Sequence, residues 1–161
     1  MLEKNPVYDL DGAIKLLEDS RNLIGESRRW CKNKFAILDG YKAYAFTRAA
    51  SDDACQWCAS GAMIKVFADI HTEKYLQIMP GAFADDLLWL ENAVYKSVIF
   101  WTALRFLAGE INGYDDRSHL DKVLIFNDLE GTEHEDVVKI FDGAIAEAKG
   151  MRDRPHFEQQ G

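Results

Sequence analysis

The chain has 161 residues, of which 48% are hydrophobic and 29% are charged, and its formal net charge is −8. This length suits one domain of the common size of about 100–150 residues, with a core that needs no disulfide or metal. The hydrophobic content excludes wholesale disorder, and the acidic balance disfavours nonspecific binding to DNA or to an anionic membrane. We therefore expect no membrane association and no nucleic acid partner.

The cysteines and the N-terminus indicate the compartment. Three cysteines cannot form a complete disulfide framework, and the first residues are charged rather than typical of a signal peptide. The most apolar run, residues 98–104, is far shorter than the roughly 20 residues that a membrane span needs. The sequence therefore predicts a cytoplasmic protein in which this run is a core helix.

The first half of the chain predicts a helix and a hairpin. Residues 10–25 place apolar side chains on one helical stripe, with Asp9 or Asp11 as the N-cap and Gly25 as the stop. Asp39-Gly40, between apolar residues, is a strong hairpin signal. We expect this hairpin to be the only β structure.

A second helix is predicted from a cap at residues 51–53 to about residue 71. Residues 54–64 contain few polar side chains, which is typical of a buried helix. This prediction places residues 54–64 in a buried central helix that shields the thiols of Cys55 and Cys58 from water. Their Cys-x-x-Cys spacing occurs in redox enzymes, but no β-α-β pattern precedes it, and we interpret both as core residues.

The second half predicts helices separated by short breaks. A helical region from residue 83 to about 110 bends or splits near residues 95–97, and Ser118 caps a short helix that follows. Residues 127–131 predict a turn, and residues 132–135 fit a capping box before the last helix. The core stripe of that helix comprises Val137, Phe141, Ala144, Ile145 and Ala148.

These elements predict a mainly α protein. It is an irregular single-domain bundle of about five helices over residues 1–150, with one short β-hairpin near residues 35–48. Residues 151–161 form a polar C-terminal tail. No local pattern predicts a metal site, a cofactor or a catalytic set.

Two segments are candidate binding sites for an unidentified protein or small-molecule partner. The first is basic and interleaved with aromatic residues, a pattern that suits an anionic ligand, and its candidate residues are Arg28, Arg29, Trp30 and Arg48. The second contains Asn127 and Asp128, which stabilise a tight turn or orient a ligand. We expect Asp128 to pair with Arg28, Arg29 or Arg48.

Three short motifs resemble an uncharacterised family of small bacterial proteins with relatives in phages. They are Trp-Cys at residues 30–31, Trp-Cys-Ala-Ser-Gly-Ala at residues 57–62 and Phe-Asn-Asp-Leu-Glu-Gly-Thr at residues 126–132. The resemblance implies a mostly α fold and supplies no activity.

The leading hypothesis is a non-enzymatic cytosolic binding protein. One alternative is a small thiol-dependent or nucleotide-processing enzyme that uses Cys31, Cys58 or Asp128. Another is a phage- or island-borne inhibitor that binds a basic partner through the acidic residues 115–136, a stretch with eight acidic and two basic side chains. The apolar helix near residues 98–107 also predicts a homo-oligomer, because it is apolar on more than one side.

Overall fold

Six α-helices and a three-stranded antiparallel sheet build the described part of the chain, which in this computed structural model comprises residues 9–38, 41–44, 46–78 and 87–154. The mainly α fold is confirmed. The helices are α1 (Leu10–Leu23), α2 (Ala59–Ile78), α3 (Leu87–Lys96), α4 (Val98–Gly109), α5 (His119–Asp128) and α6 (His134–Asp153). Of two 3-10 helices, Ser27–Arg29 precedes the first strand and Phe46–Ala50 lies between the second and third strands.

Helix α1 begins as predicted. The Asp9 carboxylate accepts a hydrogen bond of 2.8 Å from the backbone N–H of Gly12, which satisfies one of the unpaired donors of the first turn. Ile14, Leu17 and Ile24 are buried on one stripe. The helix ends at Leu23, two residues before the predicted stop at Gly25.

The long helical region divides at Ser97, within the predicted break. Ser97 ends α3 and caps α4, since its hydroxyl accepts a hydrogen bond of 3.1 Å from the N–H of Phe100. Phe100, Ala103 and Leu104 are buried, so the apolar run is a core helix, with α1, α5 and α6 packed around it. None of the helices in the described ranges is both long and apolar enough to span a membrane.

The β structure is more extensive than predicted. Strands β1 (Ala36–Leu38) and β2 (Tyr41–Ala43) form the expected hairpin, whose turn at residues 39–40 lies outside the described residues. A third strand, β3 (Ala54–Trp57), pairs antiparallel with the other edge of β1. The prediction of a continuous helix from residue 54 was therefore wrong: four residues join the sheet, and α2 begins only at Ala59.

The last two helices lie close to their predicted positions. Ser118 caps α5, but Asn127 and Asp128 form the last turn of that helix rather than a separate turn. The capping box of α6 lies one residue later than predicted, at residues 133–136. In it the N–H of Glu133 donates to the Asp136 carboxylate. The predicted stripe of α6 is confirmed, and the helix continues to Asp153. Most of the predicted tail, residues 155–161, lies outside the described residues.

Candidate functional site

Asn127 joins three distant parts of the chain. Its side chain is fully buried at the end of α5, and its Oδ1 accepts hydrogen bonds from Trp30 Nε1 at 2.8 Å and from the backbone N–H of Ala59 at 3.1 Å. Its Nδ2 donates to the carbonyl of Cys31 at 3.1 Å and to Asp128 at 2.9 Å. We call these five residues the Asn127 clamp. Because the amide uses both donors and both acceptor positions, it has no capacity left for a ligand.

Asp128 extends the clamp to the loop after Trp30. Its carboxylate accepts a hydrogen bond of 2.7 Å from the backbone N–H of Asn33, whose φ of 63° is a left-handed conformation that asparagine tolerates. The Lys32 ammonium donates to the carbonyl of Leu129 at 2.6 Å and lies 5.5 Å from the centre of the Trp30 ring. The loop is thus attached to the end of α5 by both backbone and side chain.

In the described part of the chain, Asp128 pairs with none of the three candidate arginines. Among the described residues, none of Arg28, Arg29 and Arg48 forms an ion pair with it, so that prediction was wrong. The physical reason is that its carboxylate is directed at the Asn33 backbone and the Asn127 amide. Arg28 instead pairs with Glu26, two residues away.

His134 also lies close to the Trp30 ring. The two rings lie 5.9 Å apart, and His134 Nε2 is 2.6 Å from the carbonyl oxygen of Ile24. Because a carbonyl oxygen only accepts, Nε2 carries the proton in this contact. Within the described residues, no group of three or more histidine, cysteine or acidic side chains is arranged to hold a metal ion.

The two buried cysteines form hydrogen bonds within the fold: Cys58 Sγ accepts one of 3.2 Å from the N–H of Gly61, and Cys31 Sγ donates one of 3.9 Å to the carbonyl of Lys34. The Cys31 N–H donates to the carbonyl of Trp57, and the Cys58 N–H donates to the carbonyl of Phe35. Burial raises the pKa of each thiol to about 12, so both are neutral at physiological pH. The third cysteine, Cys55, is exposed on β3, so the prediction that it lies in a buried helix was wrong. Its thiol donates a hydrogen bond to the carbonyl of Ile37.

These positions predict selective labelling of the thiols. At pH 7.5 to 9, a thiol reagent should modify Cys55 and leave Cys31 and Cys58 intact, because a neutral, buried thiol is neither nucleophilic nor accessible. Labelling in denaturant, followed by mass mapping, is the control in which all three react. Native Cys31 or Cys58 reacting as fast as Cys55 would contradict the assignment.

The raised thiol pKa also gives stability a pH dependence. Above pH 9 the unfolded chain loses its thiol protons while the folded chain keeps them, so stability falls as pH rises from 9 towards 12. For Cys58 the loss is about 1.4 kcal/mol per pH unit in that window.

The three candidate arginines lie at the surface beside β3. Arg28 and Arg48 are exposed and Arg29 is half-buried. Arg28 and Arg29 belong to the first 3-10 helix, which runs directly into Trp30 of the clamp. Arg48 belongs to the second, which is held by a hydrogen bond of 2.9 Å from Trp57 Nε1 to the carbonyl of Ala49. Both short helices contact β3. We call these three arginines the cation surface.

The candidate residues thus divide into two groups. Trp30, Asn127 and Asp128 meet in the clamp, whereas Arg28, Arg29 and Arg48 lie outside it and are exposed or half-exposed. Sequence reasoning missed Asn33 and Ala59, whose backbone groups complete the clamp, because no side-chain pattern marks a backbone donor. It also missed the cavity of about 480 Å³ beside α4, which Phe106, Gly109 and Met151 help to line.

The architecture and the clamp define a small mainly α protein with a structural polar centre. The chain belongs to a family of unknown function, DUF6197, whose model matches residues 10–147. Neither a curated protein nor a solved structure matches the chain. The matched range includes every residue of the clamp and of the cation surface.

Proposed function

We propose that this chain is a non-enzymatic cytosolic binding protein whose cation surface binds an acidic protein partner. The observation that supports this most is that the polar and thiol side chains most suited to catalysis are engaged in holding the fold together. Asn127 and Asp128 bond to the backbone and to each other, and Cys31 and Cys58 are buried neutral thiols. A cytosolic location agrees with all three cysteines being free thiols.

The cation surface is suited to binding because it is mounted on rigid structure. A charged side chain contributes more to recognition when its backbone is already fixed, since less conformational entropy is lost on association. The clamp fixes the segment after Arg28 and Arg29, and the Trp57 hydrogen bond fixes the segment of Arg48. Tyr44, which is 67% exposed, adds an aromatic side chain on the segment between them.

A charge-matched pair of variants tests this proposal. Replacing Arg28, Arg29 and Arg48 with alanine should weaken binding of a fluorescent polyglutamate peptide by at least about tenfold at low salt, measured by anisotropy. The control removes three exposed cations elsewhere, Lys15, Lys139 and Arg154. It changes the net charge equally and should bind nearly as the native chain does.

Salt provides the second arm of the same experiment. Binding by the native chain should weaken as ionic strength rises, because exposed charges are screened over about 10 Å at 0.1 M salt. Salt-independent binding, or equal losses in the two triple variants, would count against the cation surface.

The two alternative functions have weaker support. The thiol-dependent enzyme would use Cys31 or Cys58, and these two buried, neutral thiols do not offer an accessible thiolate. A phage- or island-borne inhibitor would use the acidic residues 115–136. Within that stretch Asp128 and Asp136 accept backbone hydrogen bonds, which leaves fewer carboxylates for a basic partner.

We further propose that two copies associate through the start of α4. Tyr95 and Val98 are 58% and 53% exposed, and the Tyr95 ring stacks on Trp101 with centroids 6.2 Å apart. Exposed aromatic and aliphatic side chains grouped in this way are typical of an interface.

Sedimentation velocity tests this association. Val98→Asp should shift a dimer to the monomer, since it places a charge in the interface while an acidic residue in the first turn is compatible with the helix dipole. Ile70→Asp, on the exposed part of α2, is the matched control and should leave the dimer intact. A native chain that sediments as a monomer at high concentration refutes the proposal.

A further inference from the structure

The connection between α4 and α5 contains an asparagine that is followed directly by a glycine. Asn112 and Gly113 lie in this connection, which runs from the end of α4 at Gly109 to the start of α5 at His119. The chain has five other asparagines, and none of them precedes a glycine. Asparagine is a thermally labile residue, because the backbone nitrogen of the next residue can attack its side-chain carbonyl. Glycine hinders this attack least, since it has no Cβ.

Both residues of this pair are open to solvent. Asn112 and Gly113 are exposed, and a Cβ built at Gly113 has no heavy atom within 4 Å. In the part of the chain that the structure describes, neither the Asn112 amide nor the N–H of Gly113 has a hydrogen-bond partner. Gly113 has a φ of 87°, a left-handed conformation that glycine adopts readily. Hydroxide and water therefore reach the Gly113 nitrogen without any local unfolding.

The fold restrains other asparagines of the chain. Asn22 and Asn92 lie within α1 and α3, where the N–H of the following residue belongs to the helical hydrogen-bond ladder. Asn127 is fully buried, and its amide is held by the clamp. These restraints keep the next backbone nitrogen away from the side-chain carbonyl. Asn112 has no such restraint.

We propose that Asn112 is a site of spontaneous deamidation in the folded protein. The Gly113 nitrogen loses its proton and attacks Cγ of Asn112, so that an N–Cγ bond forms, the Cγ–Nδ2 bond breaks and ammonia leaves. Water then opens the resulting succinimide ring at either of its carbonyl groups. One opening gives aspartate, and the other gives isoaspartate, in which the main chain runs through Cγ.

Either product changes the charge of the protein. Each adds one carboxylate to a chain whose formal net charge is already −8, and places it close in sequence to Asp115 and Asp116. The reaction needs no enzyme and no reactant other than water. Asn112 belongs neither to the Asn127 clamp nor to the cation surface, so this inference is independent of the proposed function.

Peptide mapping of the protein during storage in mildly alkaline buffer tests the proposal. In the folded chain Asn112 should convert to two products, each one mass unit heavier, at a rate within about tenfold of the rate in guanidinium chloride. The two rates should be similar because an open loop pays no free energy of local unfolding. The rate should rise with pH, since the attacking nitrogen must first lose its proton. Asn22 and Asn92 should remain intact in the folded chain over the same period.

A pair of glutamine variants assigns the charge change to one residue. Asn112→Gln keeps the amide but needs a larger ring for the same attack, so isoelectric focusing should show no accumulation of an acidic species. Asn92→Gln, at an exposed position of α3, is the matched control and should form the acidic species as the native chain does. The proposal is overturned if Asn112 stays intact in the folded chain or converts more than about tenfold more slowly than in guanidinium chloride. It is also overturned if Asn112→Gln accumulates the same acidic species.

Discussion

Replacing Asn127 with alanine is expected to lower the free energy of unfolding by about 4 kcal/mol. The substitution leaves three groups without their partner: Trp30 Nε1, the N–H of Ala59 and the carbonyl of Cys31. Each unsatisfied buried polar group costs about 1–3 kcal/mol, and the smallest of these costs falls on the part-buried Trp30 indole. Urea unfolding followed by circular dichroism measures the loss.

Two further variants separate the clamp from ordinary effects of substitution. Asn22→Ala changes an exposed asparagine on α1 and should alter stability by no more than about 0.5 kcal/mol. Trp30→Phe removes the indole donor and one of its two fused rings, while Asn127 keeps the bond from Ala59, so its loss should be smaller than that of Asn127→Ala. A loss below about 1 kcal/mol for Asn127→Ala would show that water replaces the amide and that the clamp adds little.

Gly61→Ala is expected to destabilise the protein by about 3 kcal/mol. A Cβ at this position would overlap the carbonyl oxygen of Phe35, which accepts the hydrogen bond from the Cys58 N–H at 3.0 Å. The contact is with backbone at the junction of sheet and helix, so a rotamer change cannot relieve it. Overpacking of this kind costs about 1–3 kcal/mol, and loss of the Cys58 bond adds to it.

The control for Gly61 is another glycine within a helix. Gly150 lies in α6, and a Cβ there has open space, so Gly150→Ala should be neutral or stabilise by up to about 1 kcal/mol through helix propensity. Thermal unfolding of both variants gives the comparison. If Gly61→Ala unfolds at the native midpoint, the close approach of α2 to Phe35 is not required by the fold.

The helices that begin at an N-cap side chain were predicted well, because the capping residue lies next to the helix in the sequence. Asp9, Ser97 and Ser118 each accept a hydrogen bond from an N–H three residues later, and the first and third were expected as caps from sequence alone. The division at Ser97 was expected within residues 95–97. Each of these elements begins where a side chain satisfies its own helix terminus.

Strand β3 was missed because the contacts that hold it in the sheet come from residues far away in the sequence. A short apolar run fits a buried helix and a buried strand equally well. The structure decides between them by tertiary contacts: β1 offers a free edge to residues 54–57, and Asn127 accepts the N–H of Ala59 from 68 positions along the chain. Helix α2 therefore begins at Ala59 because a side chain of α5 bonds its first N–H.

The candidate site was identified in part. The sequence singled out Trp30, Asn127 and Asp128 as separate motifs, and the fold brings them together. Their role as structure depends on burial and on backbone partners, which no residue pattern reveals. The exposed arginines could be identified from their charge alone, because they have no partner in the described core that would bury them.

Because the chain is synthesised from its N-terminus, the Asn127 clamp can form only late in synthesis. The Trp30 indole and Asn127 are separated by 97 positions, so their bond forms only after the ribosome has released most of the chain. A nascent chain that ends before α5 has no partner for the N–H of Ala59 and no support for the Trp30 ring. Long-range closures of this type slow folding. Completion of this protein is therefore tied to the emergence of its last third.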